Sequence, residues 1–119
     1  MAIKAQVITV YAQAVPLELL RRFWCFPNFP HGQEEVIKTV LQGLDTLAVM
    51  PTGAGKSLCY QLPAIMMPGL TLVVSPLIAL MKDQVEVLTV RGIKAAYINS
   101  SLTPAQNAST LEQVRQGKL

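Results

Sequence analysis

Residues 50–57 read Met-Pro-Thr-Gly-Ala-Gly-Lys-Ser, and they lie between an apolar run and the start of an apolar helical pattern. The preceding run, residues 46–50, is typical of a buried strand, and residues 57–62 are typical of the first turns of a buried helix. A strand, a glycine-rich turn with lysine and serine, and a helix in that order are typical of a loop that holds the phosphates of a nucleotide. This stretch therefore predicts a nucleoside triphosphate as the ligand.

Each residue type in this loop has a physical role. Gly53 and Gly55 lack a Cβ, so their backbone can adopt left-handed dihedral angles and turn N–H groups toward an anion. Lys56 can reach the β- and γ-phosphates as a mobile charge and is the predicted catalytic residue, while the Ser57 hydroxyl is predicted to bind Mg²⁺. The predicted nucleotide-binding residues of the loop are Thr52, Gly53, Ala54, Gly55, Lys56 and Ser57. Met50 stands where the widespread form of the loop has glycine, and the alternative is a strand-to-helix turn that binds nothing.

Composition sets broad limits on the class of protein. The chain has 119 residues, half of them hydrophobic, and a net charge of +3 from scattered basic residues, which permits nucleic-acid binding without requiring it. Cys25 and Cys59 have neither metal-site spacing nor a disulfide framework, which favours a reducing compartment. No apolar stretch reaches membrane-spanning length. We expect a soluble, intracellular protein, cytoplasmic if bacterial, with no membrane association.

Strand and helix patterns alternate along the chain after an irregular start. The predicted helices are residues 16–23, 33–42, 56–67, 76–91 and 103–116, and the predicted strands are residues 46–50, 70–75 and 95–98. Thr103 and Gln106 form a predicted capping box with Pro104 at the first helical position, and Gly117 ends that helix. Because hairpin turns are absent, the sequence predicts an α/β fold with a parallel sheet flanked by helices.

A second motif follows the phosphate loop. Residues 73–85 read Val-Val-Ser-Pro-Leu-Ile-Ala-Leu-Met-Lys-Asp-Gln-Val, and this run resembles motif Ia of RecQ-type ATP-dependent DNA helicases. Residues 32–35 and 99–102 also match that family's pattern, and residues 19–119 are similar to the start of its first RecA-like domain. The resemblance implies a 3′-to-5′ helicase of superfamily 2 that acts in DNA repair and recombination. It also implies ATP and Mg²⁺ as cofactors and single-stranded or forked DNA, bound without sequence specificity, as the partner; no stable protein partner is predicted.

The resemblance assigns base recognition to residues upstream of the loop. It implies that Phe26 stacks on adenine and that Gln33 hydrogen-bonds the edge of the base, since an amide offers both a donor and an acceptor. Pro30 stands where the family has arginine, and His31 where it has proline, so one cation of the family's base pocket is missing. Core packing is the alternative for Phe26, and an ordinary loop residue is the interpretation of His31.

DNA contact falls on motif Ia by the same resemblance. It assigns backbone contacts to Ser75 and the following helix start, with Lys82 nearby; such contacts carry no sequence information. A helix cap and a solvated lysine are the alternatives for these two residues. Residues 99–101 could touch nucleic acid, but turn chemistry explains them equally well.

The same resemblance implies that these residues form only part of a RecA-like domain. Residues 1–15 are expected to be irregular, and residues 16–119 to form the N-terminal part of a RecA-like ATP-binding domain. The acidic metal-binding motif is expected after Leu119, so this portion alone is not expected to be catalytically competent. Two alternatives remain: an inactive truncated product, and a different phosphate-loop enzyme that binds nucleoside triphosphates.

Overall fold

The computed structural model describes residues 2–4, 16–30, 32–51 and 55–119, and of residues 2–4 it describes the backbone. The described chain belongs to two compact units, one within residues 7–68 and the other made of the N-terminal strand with residues 69–119. The strands are Ala2–Lys4 (β1), Leu70–Leu72 (β2) and Ala95–Ala96 (β3). The helices are Pro16–Leu19 (α1, continued by the π-helical turn Leu20–Trp24), Gln33–Leu41 (α2), Leu58–Met66 (α3), Ile78–Val90 (α4) and Pro104–Arg115 (α5).

Helices build the core of the first unit. Leu20, Ile37 and Leu62 are fully buried, and they come from the π-helical turn, α2 and α3 in that order. Helix α2 packs against α3, as expected from the apolar spacing of its residues. Helix α3 is buried from Gln61 to Met66 and has a proline, Pro63, in its interior. Proline there removes one helical hydrogen bond. The predicted helices at 16–23, 33–42 and after residue 56 are confirmed with small shifts of their ends.

The sheet of the second unit has the order β2-β1-β3, and both strand pairs are antiparallel. Ala2 pairs with Leu72 on one side and with Ala96 on the other. The predicted parallel sheet is therefore not confirmed among the described strands. The two strands predicted at these places do run in the same direction, but β1 lies between them and runs opposite to both. Residues 2–4 also fall in the segment that we expected to be irregular.

The predicted strand before the phosphate loop is wrong for the described structure. Residues 44–50 form no regular element, and the side chains of Leu47 and Val49 are 91% and 88% exposed. A strand needs hydrogen-bonding neighbours on its edges, and none of the described strands pairs with this segment. The same reason applies to the second predicted strand. It is shortened to Leu70–Leu72, and Val74 beyond it is 97% exposed.

The helix of motif Ia begins later than the sequence predicts. Pro76 was expected to open it, but α4 starts at Ile78. The Ser75 hydroxyl oxygen accepts a hydrogen bond from the Leu77 N–H at 3.2 Å, which holds residues 75–77 in a turn before the helix. None of the helices in the described ranges is long and apolar enough to cross a membrane.

The capping of α5 follows the prediction. The Thr103 hydroxyl accepts from the Gln106 N–H at 3.2 Å, and the Gln106 side-chain oxygen accepts from the Thr103 N–H at 2.9 Å. Pro104 occupies the first turn, and Gly117 follows the helix with a φ of +70°. These reciprocal bonds fix where α5 begins, so the loop before it has a defined end.

Candidate functional site

The phosphate loop meets α3 at Gly55, close to the side chain of Gln33. Gly55 has a φ of +70°, and a Cβ built on it would lie 2.7 Å from Nε2 of Gln33. Gln33 is the first residue of α2 and is 0% exposed. The loop backbone and the buried amide are thus in direct contact. The positive φ favours glycine at this position, and the contact places Gln33 beside residue 55 of the loop.

Lys56 and Ser57 follow at the start of α3. The carbonyl of Lys56 accepts from the Cys59 N–H at 3.1 Å, and that of Ser57 accepts from the Gln61 N–H at 2.9 Å. Lys56 and Ser57 directly precede the first residue of α3. Their N–H groups therefore lie at the N-terminal end of the helix, which is the positive end of its dipole. Lys56 is exposed and Ser57 is half-buried. A cation, a hydroxyl and a helix start therefore lie at one place, which suits a bound phosphate. Thr52, Gly53 and Ala54 lie outside the described residues.

The Cys59 thiol lies in the first turn of α3. Burial raises its pKa, and a hydrogen bond with its own backbone opposes that change in part. The thiol therefore stays protonated at neutral pH and contributes no charge near the loop. Among the described residues, no three side chains of His, Cys, Asp or Glu come together as a metal set. Ser57 is the predicted metal-binding residue that the described structure contains.

Phe26 lies in a loop that leaves the π-helical turn. Cys25 has a φ of +58°, which ends that turn, and the Arg21 side chain donates to the Pro27 carbonyl at 3.0 Å. The Phe26 side chain is 42% exposed, whereas Trp24 is the buried aromatic residue of this stretch. Core packing thus describes Trp24 and not Phe26. The ring of Phe26 is accessible to a planar ligand.

The link from this loop to α2 runs through Pro30. Its carbonyl accepts from the Gln33 N–H at 3.2 Å, which sets the start of α2. His31 lies outside the described residues. The Gln33 amide is completely buried. In this arrangement the Gln33 side chain contacts the phosphate loop at Gly55.

The predicted DNA-contacting residues lie in the other unit. The Ser75 hydroxyl is half-buried and accepts from the Leu77 N–H within the turn before α4. The N-cap residue of α4 is Leu77, which has no side-chain cap bond, so the helix-cap interpretation is not confirmed. Lys82 lies on the first half of α4, with its Nζ 3.9 Å from a carboxylate oxygen of Glu86. Both of those side chains are 62% exposed. An exposed pair of this kind contributes little to stability and leaves the lysine available for phosphate.

The turn at residues 99–101 contains an interaction that sequence reasoning missed. The Asn99 side chain accepts from both the N–H and the hydroxyl of Ser101, and its amide donates toward the sulfur of Met81 at 3.7 Å. Asn107 of α5 donates to the Asn99 carbonyl at 3.0 Å. The sequence signal that could have indicated this contact is Asn107, which lies one turn after the capping residue Thr103 in α5. The turn interpretation is confirmed for Asn99, since its amide is used within the protein.

The comparison with protein families identifies the chain. Residues 30–118 match the model of the DEAD/DEAH box helicases. This match covers most of the chain and includes the phosphate loop, α4 and α5. The chain therefore belongs to the DEAD/DEAH box helicase family. That family has a RecA-like fold, which accounts for the alternation of helices and strands along the sequence.

Individual relatives are more specific. The chain is 50% identical over 103 residues to the ATP-dependent DNA helicase RecQ of Haemophilus influenzae, which covers 87% of this chain and 17% of that protein. It is 48% identical over 102 residues to RecQ of Synechocystis, covering 86% and 21% of the two chains. It is 47% identical over 102 residues to the probable ATP-dependent DNA helicase RecS of Bacillus subtilis, covering 85% and 21%. The chain spans about a fifth of the length of these relatives.

Proposed function

We propose that this chain is the ATP-binding portion of a RecQ-type 3′-to-5′ DNA helicase that acts in DNA repair and recombination. The observation that carries the proposal is the phosphate-loop geometry: Gly55 packs without a side chain against Gln33, and Lys56 is exposed at the start of α3. High identity to named RecQ helicases supports the particular class. Residues 16–119 are proposed to form the N-terminal part of a RecA-like domain, and β2 and β3, the described strands of this range, run in the same direction.

The residues of the loop would hold ATP by complementary charge. Lys56 supplies a cation for the β- and γ-phosphates, and the α3 N-terminus supplies backbone donors. Ser57 supplies a neutral oxygen ligand for Mg²⁺. Thr52, Gly53 and Ala54 are proposed to complete the loop around the phosphates. Bound Mg²⁺ would neutralise the phosphate charge during phosphoryl transfer. The described residues fit this group, because the Gly55 backbone, the exposed Lys56 and the Ser57 hydroxyl lie together at the start of α3.

Base recognition is proposed for Phe26 and Gln33. The exposed ring of Phe26 suits stacking on adenine. Gln33 touches the loop at Gly55 in the described arrangement, so any contact between its amide and the base would also be felt by the loop. We propose that Gln33 links the adenine and phosphate parts of the site. Pro30 offers no cation here, which predicts looser discrimination among bases.

DNA binding is proposed for the second unit. Ser75 lies in the turn before α4, where its hydroxyl accepts from the Leu77 N–H. Lys82 lies in the first half of α4, and its ion pair with Glu86 is long and exposed. We propose that this hydroxyl and this lysine contact the phosphate groups of the DNA backbone and not the base edges. Binding would therefore be indifferent to sequence and would weaken as salt rises. Single-stranded or forked DNA is the proposed substrate.

Titration with a fluorescent ATP analogue in Mg²⁺ tests the nucleotide part of the proposal. Lys56→Ala should weaken binding at least ten-fold, because a charged hydrogen bond is worth about 1.5–3 kcal/mol. Lys38→Ala is the matched control, since Lys38 is an exposed lysine of α2 paired with Glu34 at 3.1 Å. Equal affinity of wild type and Lys56→Ala would contradict ATP binding by this loop.

A further inference from the structure

Asn99 is bonded to three parts of its unit at once. Its side-chain oxygen accepts a hydrogen bond from the Ser101 N–H at 2.9 Å within the turn. Its amide nitrogen lies 3.7 Å from the sulfur of Met81 in α4, and its carbonyl accepts from Asn107 of α5 at 3.0 Å. The turn that follows β3 is thus joined to both helices of the unit.

This arrangement brings the turn next to the motif Ia segment. Met81 lines a small hollow together with Ser75, Leu80 and Gln84. Asn99 therefore contacts Met81, one of the residues that line this hollow, and also bonds Ser101 in the turn. Ser100, the residue between the two bonded ends of the turn, is exposed. A change at Asn99 would therefore alter both the turn and its contact with α4.

We propose that Asn99, held by Asn107, is a positioning residue that fixes the 99–101 turn against α4, so that the hydroxyls of Ser75 and Ser100 bind the phosphate oxygens of one DNA strand. The inference rests on the proposed function, because the ligand is the DNA strand. Asn99 itself makes no contact with DNA in this scheme, since its amide already serves Ser101 and Met81.

The physical basis is preorganisation. A turn of asparagine and two serines has many accessible conformations when it is unconstrained, and ordering it during binding would weaken the affinity. The bonds from Asn99 and Asn107 order the turn before DNA arrives. Loss of these bonds should therefore reduce DNA affinity even where the fold is intact.

Asn107 allows the positioning role to be separated from stability. Its side-chain oxygen is buried and has no hydrogen-bond partner among the described residues. Asn107→Leu keeps the size of the side chain and removes that buried oxygen, which offsets the lost donor. The Asn99 carbonyl also keeps the Leu102 N–H as a donor at 3.4 Å. We therefore expect the thermal midpoint of this variant to stay close to that of wild type.

The test measures binding of a fluorescein-labelled single-stranded oligothymidine by anisotropy at several salt concentrations. Asn107→Leu should raise Kd about five-fold, a typical effect of one lost hydrogen bond. The slope of log affinity against log salt should not change, because serine contacts release no counterions. Lys82→Ala should instead reduce that slope. Gln113→Leu, the same change at an exposed position of α5, is the control and should match wild type.

Hydrogen exchange of the Ser101 amide gives a second measurement that needs no DNA. Asn99→Ala and Asn107→Leu should both accelerate exchange at this amide, and Gln113→Leu should not. Equal DNA affinity of Asn107→Leu and wild type, or unchanged Ser101 exchange, would overturn the inference alone. A wild-type chain that binds no DNA would overturn the proposed DNA-binding role and the inference with it.

Discussion

The side-chain nitrogen of Gln33 lies 2.7 Å from the position that a Cβ of residue 55 would take. Gln33 is completely buried, so a shift of its amide would disturb the groups packed around it. The φ of +70° favours glycine at residue 55, and a Cβ there would also require the Gln33 side chain to shift. The loop and the first residue of α2 consequently depend on each other's shape.

We expect Gly55→Ala to weaken binding of Mg²⁺-ATP more than ten-fold, because the methyl group displaces either the loop or Gln33. Gly43→Ala is the matched control: Gly43 has a φ of +80°, and nothing lies within 4 Å of its added Cβ. Both variants should lose about 1 kcal/mol of stability from backbone strain. Titration with a fluorescent ATP analogue and urea unfolding measure the two effects. Equal ATP affinity of the two variants would contradict the steric explanation.

Nucleotide choice should depend on Gln33 and on residue 30. Gln33→Ala should reduce the ratio of ATP to GTP affinity, since guanine's reversed donor and acceptor pattern leaves an amide unsatisfied at a cost of about 1–3 kcal/mol. Pro30→Arg should raise that ratio by restoring a cation near the base. Competition of ATP against GTP on the three proteins measures it. An unchanged ratio in Gln33→Ala would assign Gln33 to the support of the loop alone.

The two thiols should react at different rates. Cys25 is exposed, whereas burial raises the pKa of the half-buried Cys59 and lowers its thiolate fraction at any given pH. With Ellman's reagent at pH 8, Cys59→Ser should react fast and Cys25→Ser slowly. The raised pKa also means that the folded state holds this proton more tightly. The stability from Cys59 is therefore present below the ordinary value of 9.0 and is lost as pH rises through the folded pKa.

That pH dependence can be measured on its own. The urea midpoint of wild type should fall more between pH 8 and pH 10 than that of Cys59→Ser, because other groups titrate in both proteins alike. A faster reaction of Cys59 than of Cys25 would show that α3 opens readily near the loop.

Leu47 and Leu62 should respond very differently to truncation. Leu62 is 0% exposed in α3, so Leu62→Ala should cost about 2–5 kcal/mol. Leu47 is 91% exposed, so Leu47→Ala should stay within about 0.5 kcal/mol of wild type. Urea unfolding measures both free energies. A large loss in Leu47→Ala would mean that residues 46–50 are buried in solution, as the sequence pattern predicts for a strand.

The helices could be predicted from the sequence because their signals are local. The capping box of Thr103 and Gln106 satisfies backbone groups within a single turn, and the apolar spacing of α2 needs only α3 as a partner. Strands depend on neighbours that are distant in sequence. The apolar pattern at residues 46–50 therefore did not predict its exposure, and nothing local indicated that Ala2–Lys4 would pair with β2 and β3.

The site was predictable to the extent that it is contiguous in sequence. Gly55, Lys56 and Ser57 are adjacent, and their roles in nucleotide binding stay predictions supported by the geometry around α3. The contact between Gln33 and Gly55 joins residues far apart in sequence, and only the packing of α2 against α3 reveals it. Asn107 was missed for the same reason, because its partner is in a different element.

The position of β1 also bears on how the chain folds as it is synthesised. The middle strand of this sheet comes from the first residues of the chain, while its partner β3 comes from residues 95–96. Contacts between such distant parts close slowly, since a long loop must be ordered first. The amino-terminal strand leaves the ribosome long before its second neighbour exists. The helices of residues 16–66 can therefore form before the sheet is completed.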